Sequence, residues 1–127
     1  MAIVGTGIDI TEVARVAASI KRFGKKFLDR VYTKNEIAYC QARKQGAAQS
    51  FAARFAAKEA AMKAIGTGLR CGVTWHDVEV GREPGGRPTI IFHGKAAEFA
   101  AKLGCKRASL SLTHTKETAM AQVILED

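Results

Sequence analysis

One stretch limits what this chain can fold into: FAARFAAKEAAMKAI, Phe51 to Ile65. It is rich in Ala, with Phe, Met, Lys and Glu, and holds no Gly, Pro or Asn, so it reads as a helix. Projected at about 100° per residue, Phe51, Phe55, Met62 and Ile65 fall on one face. Ala53, Ala56, Ala57, Ala60 and Ala64 fall roughly opposite. A helix with no polar face belongs in an interior. Yet this one carries Arg54, Lys58, Glu59 and Lys63. Lys58 lands inside the Phe/Met stripe, with Arg54 beside it, and Glu59 and Lys63 share a flank one turn apart. Charges in such surroundings need partners or a task. The plain alternative for Glu59 and Lys63 is a helical ion pair, worth about 0.2–0.5 kcal/mol.

A helix of this kind needs a core around it. The chain has 127 residues, 47% of them hydrophobic, which suits one domain over 1–127. With 2 Pro and 12 Gly, low complexity and disorder are excluded. The net charge of +8 calls for an acidic partner: nucleic acid, anionic membrane, acidic protein or phosphorylated ligand. Cys40, Cys71 and Cys105 are odd in number and irregularly spaced, which fits neither a disulfide framework nor a zinc site. No signal peptide or membrane-spanning run is evident, so a cytoplasmic setting with reduced thiols is expected.

The segments around the helix follow from their patterns. Ala2 to Ile10 reads as a strand with Gly5 and Gly7 embedded, and glycines there mark a bulge or the close approach of a ligand or another backbone. Asp9 is its anomaly, a carboxylate between two isoleucines; the plain alternative is a strand end whose Asp caps the next helix. Thr11 to Lys21 reads as that helix, with Thr11 as an equally good cap. From Arg15 to Lys34 seven basic residues face one acidic residue, Asp29, with Phe23 and Phe27 interleaved at what look like core positions. Thr33 to Glu36 has the capping-box spacing of a helix start. The long helix begins at Ala47 and stops at Gly66-Thr67-Gly68. Trp75 to Val80 and Thr89 to His93 form a hairpin around Pro-Gly-Gly turn chemistry, and Gly94 to Leu103 is an amphipathic helix. Arg107 to Thr115 and Ala119 to Leu125 are the last strands. Strands do not alternate with helices throughout, so the class is α+β.

Asp9 and Glu59 are carboxylates that local patterning did not ask for, with Arg54, Lys58, Lys63 and His114 as basic company. That set suggests a magnesium–phosphate site, since Mg²⁺ takes one or two protein carboxylates and fills its shell with water and phosphate oxygens. No GxxxxGK[ST] loop and no GxGxxG opening a helix occurs, so nucleotide sites of those types are excluded. His114 is a lone histidine on a strand, and such a residue is more often structural.

The segments VGTGIDI, FAARFAAKEAAMKAIGTG, WHDVEV, GGRPTIIFHGKA and SLSLTHT followed by AMAQVIL together resemble the holo-(acyl-carrier-protein) synthases, small members of the 4′-phosphopantetheinyl transferase superfamily. The likeness runs nearly end to end, and the helical R-x-x-A-K-E-A is its most specific part. It implies a sheet packed on a long central helix and a trimer with active sites between subunits. It implies transfer of the phosphopantetheine arm of coenzyme A to a serine of apo acyl carrier protein, releasing adenosine 3′,5′-bisphosphate and supporting fatty acid biosynthesis. Asp9 and Glu59 would hold Mg²⁺ and Lys63 would meet the diphosphate. Arg54, Lys58, His114 and Thr115 would take further phosphate contacts. The group that takes the serine proton is left open. The basic residues Arg15, Arg22, Lys25, Lys26 and Arg30 would receive the acidic carrier protein, in line with the charge of the chain. Two rivals stand beside this: a basic nucleic-acid-binding domain, and a relative that binds carrier protein or coenzyme A without turnover.

Overall fold

Strand and helix meet backbone to backbone at the centre of this molecule. In the computed structural model, which describes residues 1–127, the elements in chain order are β1 (Ile3–Glu12), α1 (Val13–Phe23), α2 (Lys25–Val31), α3 (Lys34–Gln41) and α4 (Ala47–Ala64). A 3-10 turn at Trp75–Asp77 follows, then β2 (Val78–Arg82), β3 (Pro88–Phe92), α5 (Gly94–Lys102), β4 (Arg107–His114) and β5 (Thr118–Glu126). The α+β class holds. One antiparallel sheet has the order β1-β5-β4, and β2 and β3 form a separate hairpin.

The three-stranded sheet lies on α4. Along β5, Ala119, Ala121, Val123 and Leu125 are buried, and the alternation sends Met120 and Gln122 to the other side. On β1 the same inner face is made of Gly5, Gly7, Asp9 and Thr11. A Cβ placed on Gly7 would stand 1.8 Å from the Ala60 carbonyl oxygen, and one on Gly5 would stand 2.3 Å from that of Ala64. Only glycine lets the strand settle against the helix backbone. The helix replies with its own small residues: Ala52, Ala56, Ala57, Ala60 and Ala61 are fully buried. The embedded glycines are therefore sites of close backbone approach, and the register with β5 also shifts between Ile3 and Gly5, so the bulge their pattern allowed is present as well.

Two apolar clusters share α4. Its C-terminal half packs with Val78, Val80, Ile90, Val123 and Leu125. Its N-terminal half packs with Val13, Val16, Leu28, Val31, Tyr32 and Cys40 from the first three helices. Tyr32 lies in the second cluster, and its hydroxyl donates to the Phe51 carbonyl at 2.8 Å. Burial pushes the Tyr32 hydroxyl far above its usual pKa and the Cys40 thiol up to about 11.

Several boundaries differ from expectation. The strand β1 runs through Thr11, because pairing with β5 continues to Glu12↔Thr118. The Val13 amide then donates to the Glu117 carbonyl at 2.9 Å, so α1 starts with no side-chain cap. Trp75 to Asp77 is a 3-10 turn and not strand: the Asp77 carboxylate accepts from the Thr74 amide at 3.2 Å and curls the backbone. Lys25 to Val31 forms a short helix of its own directly after Gly24. Phe23, expected in the core, is 53% exposed because Gly24 ends α1 and turns the chain away.

Candidate active site

Asp9 reaches α4 because the strand around it does. It shares the inner face of β1 with Gly7, so the close approach at Ala60 also delivers its carboxylate to the next turn of the helix. There Lys63 Nζ donates to Asp9 Oδ1 at 3.0 Å and to the Ile8 carbonyl at 3.1 Å. The Thr11 hydroxyl donates to Asp9 Oδ2 at 3.0 Å. Glu59 stands one turn before Lys63. Burial, then the neighbouring Asp9 charge, pushes its carboxyl above the usual range, against the pull of Lys63. Lys63 pairs with Asp9 rather than Glu59, so the simple helical ion pair is not what forms.

A cleft of about 340 Å³ opens over this pair, lined among others by Asp9, Thr11, Arg15, Phe27, Phe55 and Glu59. Its donors are hard oxygens. No group of three or more His, Cys, Asp and Glu side chains gathers anywhere in the chain. Two neighbouring carboxylates, one of them raised by burial and then by the charge of the other, fit Mg²⁺, which shares its shell with water and phosphate oxygens rather than sitting in an all-protein cage. They do not fit zinc, which asks for three or four nitrogen and sulfur ligands.

Residues 5–122 match the family profile of the 4′-phosphopantetheinyl transferase superfamily. The chain belongs to that superfamily. It is 69% identical to the holo-(acyl-carrier-protein) synthase of Koribacter versatilis, over 98% of this chain and 99% of that protein. The crystal structure of holo-(acyl-carrier-protein) synthase from Neisseria meningitidis is similar with a TM-score of 0.87 at 33% identity, covering 99% of this chain and 100% of that one. The enzyme from Helicobacter pylori, solved in complex with coenzyme A, is similar with a TM-score of 0.82 at 31% identity, covering 95% of this chain and 99% of that one. The superfamily match spans the elements that carry Asp9, Glu59 and Lys63.

The other residues singled out in the sequence part company in this phosphopantetheinyl transferase fold. Lys58 is fully buried, with Nζ 2.7 Å from Glu36 Oε1. Glu36 also accepts from the Thr33 amide at 2.8 Å and the Val80 amide at 2.7 Å. Burial pulls the Lys58 ammonium down from its usual pKa, and Glu36 opposes that. With no exposed atom, Lys58 does not meet a ligand in this conformation; it ties α3, α4 and β2 together. That corrects its expected place among the phosphate contacts. Arg54 and Glu59 are five positions apart on α4, about 140° round the helix, so they leave it in different directions. Arg54 lies over the Tyr39 ring at 4.1 Å, among residues of α3 and β2. His114 and Thr115 are exposed at the end of β4, where Ala119 of β5 separates His114 from Thr11.

The basic residues of α1 and α2 also divide. Arg15 lines the cleft of Asp9 and Glu59 itself. Lys26 and Arg30 border a second hollow with Phe23, which shares Ser19 and Phe27 with the cleft. Arg22 lies over Phe23 at 5.1 Å, and Lys25 pairs with Asp29 at 2.6 Å on the surface. Sequence reasoning missed Glu36, Tyr39 and Arg82. Glu36 was visible only as a capping-box residue, which it also is.

Proposed function

We propose that this chain transfers the 4′-phosphopantetheine arm of coenzyme A to a serine of an apo acyl carrier protein, in support of fatty acid biosynthesis. The observation that carries it is Asp9 held beside Glu59 and Lys63 by the glycine contact of β1 on α4, in a chain whose relatives are holo-(acyl-carrier-protein) synthases. In the reaction the serine oxygen bonds to the phosphorus that bears the pantetheine arm. The bond from that phosphorus to the bridging oxygen breaks, adenosine 3′,5′-bisphosphate leaves with the electron pair, and the serine proton goes to a base.

Asp9 and Glu59 are the residues that would hold Mg²⁺, which when bound offsets the charge of the diphosphate. Asp9 is already oriented by Lys63 and Thr11. Glu59 has no hydrogen bond or ion pair to a neighbouring side chain, which leaves its carboxylate oxygens free to hold the metal. Lys63, half exposed, is placed to turn from Asp9 toward a phosphate oxygen. Phe55 and Phe27 form the apolar wall along which the arm enters.

The acidic carrier protein docks on Arg15, Arg22, Lys25, Lys26 and Arg30, where opposite charge speeds encounter. The exposed hollow of Phe23, Lys26, Phe27 and Arg30 beside the cleft supports that placement. The working form is a trimer of single-domain subunits in the cytoplasm. Its support is the outer face of the sheet, where Ile8 and Ile10 are 55% and 64% exposed and Met120 lies opposite Ile10. Arg54, His114 and Thr115 then act on coenzyme A bound at a neighbouring subunit's Asp9 and Glu59. No helix is long and apolar enough to cross a membrane. Incubation with Mg²⁺, coenzyme A and apo carrier protein adds one phosphopantetheine arm by intact mass; no mass gain with several carrier proteins overturns the proposal.

A further inference from the structure

Phe55 walls the cleft of Asp9 and Glu59, and a second aromatic ring stands behind it. Phe55 lies one turn before Glu59 on α4, so the two side chains leave the helix on the same side. The Trp75 indole packs on the Phe55 ring, with centroids 4.9 Å apart and planes tilted by 37°. At that separation two aromatic rings attract beyond the area they bury. Trp75 itself does not line the cleft. A Phe side chain swings between staggered positions unless its neighbours fill the alternatives. One side of Phe55 faces the open cleft, and the indole supports it from behind. Trp75 is itself well fixed. It is the first residue of the 3-10 turn, where its carbonyl accepts from the Val78 amide and the Asp77 carboxylate accepts from the Thr74 amide at 3.2 Å. The His93 amide donates to the Asp77 carbonyl at 2.7 Å and ties the turn to the start of α5. The indole packs against both apolar clusters, so it joins the sheet side of the core to the helical side.

We propose that Trp75 is a positioning residue that fixes the Phe55 ring as the wall on which the pantetheine arm of coenzyme A packs. This rests on the transferase reading above. The arm offers methyl and methylene groups to such a wall, and a ring already held in place loses no freedom when they arrive. Without the indole, Phe55 swings back into the space left behind it and the wall recedes from Glu59. Trp75 thus sets the affinity for the arm without touching it.

The test is calorimetric titration of the full-length protein with two probes: coenzyme A, which carries the arm, and adenosine 3′,5′-bisphosphate, which lacks it. Trp75→Leu weakens coenzyme A binding about fivefold, the worth of one aromatic pair, and leaves the affinity for adenosine 3′,5′-bisphosphate unchanged. Trp75→Phe keeps an aromatic face behind Phe55 and restores most of the affinity. In Phe55→Leu the wall is already lost, so adding Trp75→Leu costs coenzyme A nothing more. A general loss of structure would weaken both probes alike. One readout needs no variant and decides the matter even where Trp75→Leu fails to fold. Trp75 is the only tryptophan of the chain, so its emission shifts in wild type on titration with coenzyme A and stays unchanged with adenosine 3′,5′-bisphosphate. Wild-type affinity for coenzyme A in Trp75→Leu, equal losses for both probes, additive losses with Phe55→Leu, or one emission response common to both probes overturns the role of Trp75. A protein that shows the arm-dependent pattern but loads no carrier protein overturns the transferase reading alone.

Discussion

Lys63 donates to the Asp9 carboxylate and to the Ile8 carbonyl at once, 3.0 and 3.1 Å away, so one ammonium clasps both the side chain and the backbone of β1. The clasp leaves Glu59, one turn earlier on the same helix, without a cation of its own.

Glu59→Gln therefore separates stability from activity. The folded protein holds the Glu59 proton more tightly than the unfolded chain does. Its favourable contribution is complete below the unfolded carboxyl pKa and is lost as pH rises through the higher folded value. At neutral pH the ionised group is a burden that glutamine lacks. The variant melts higher than wild type at pH 7–8, the difference closes toward pH 4, and Mg²⁺ no longer raises its Tm. Turnover falls by roughly 10²-fold or more. Differential scanning fluorimetry with and without Mg²⁺ checks it; an equal Mg²⁺ response in both proteins would take Glu59 out of the metal site.

Lys58→Met leaves Glu36 buried without its cation. We expect a loss of about 3–5 kcal/mol in urea unfolding. Adding Glu36→Gln removes the orphaned charge and recovers more than half of that loss. The double variant keeps the wild-type KM for coenzyme A, since Lys58 has no exposed surface. A tenfold rise in that KM would restore Lys58 to the ligand contacts.

Gly7→Ala drives a methyl group into the Ala60 carbonyl, where 1.8 Å is all the room there is. Strand and helix must separate, at a cost of about 3 kcal/mol or more. Turnover falls with it, since Asp9 withdraws from Glu59. A urea midpoint matching wild type would show that the contact is slack.

Charge reversal at Arg22 and Lys26 tests the docking face without touching the cleft. The KM for carrier protein rises about tenfold at low salt, and the gap narrows toward 0.5 M salt as screening removes the steering. The KM for coenzyme A stays put. Equal rises in both constants would argue against a dedicated protein-binding surface.

What the sequence disclosed depended on whether a residue broke its local pattern. Asp9, Glu59 and Lys63 broke theirs, and the structure brings them together. The pairing of Gly5 and Gly7 with Ala60 and Ala64 was legible as close approach, though not with what. Glu36 was hidden because it obeyed its pattern: it caps α3 and, with the same carboxylate, neutralises Lys58. Lys58 was therefore misread, since its partner lies 22 residues away and is joined only in three dimensions. Tyr39 looked like an ordinary helix residue, and nothing local announced that three arginines would meet on it. Trp75 to Asp77 alternated like strand, but one carboxylate turning back to the Thr74 amide outweighed the alternation.

The glycine seam between β1 and α4 has a consequence for motion. Asp9 and Glu59 ride on the two elements this seam joins, so the backbones that carry them do not part without opening the core. Amide exchange along Gly5 to Asp9 and along Ala56 to Ala64 should then report global unfolding rather than local breathing.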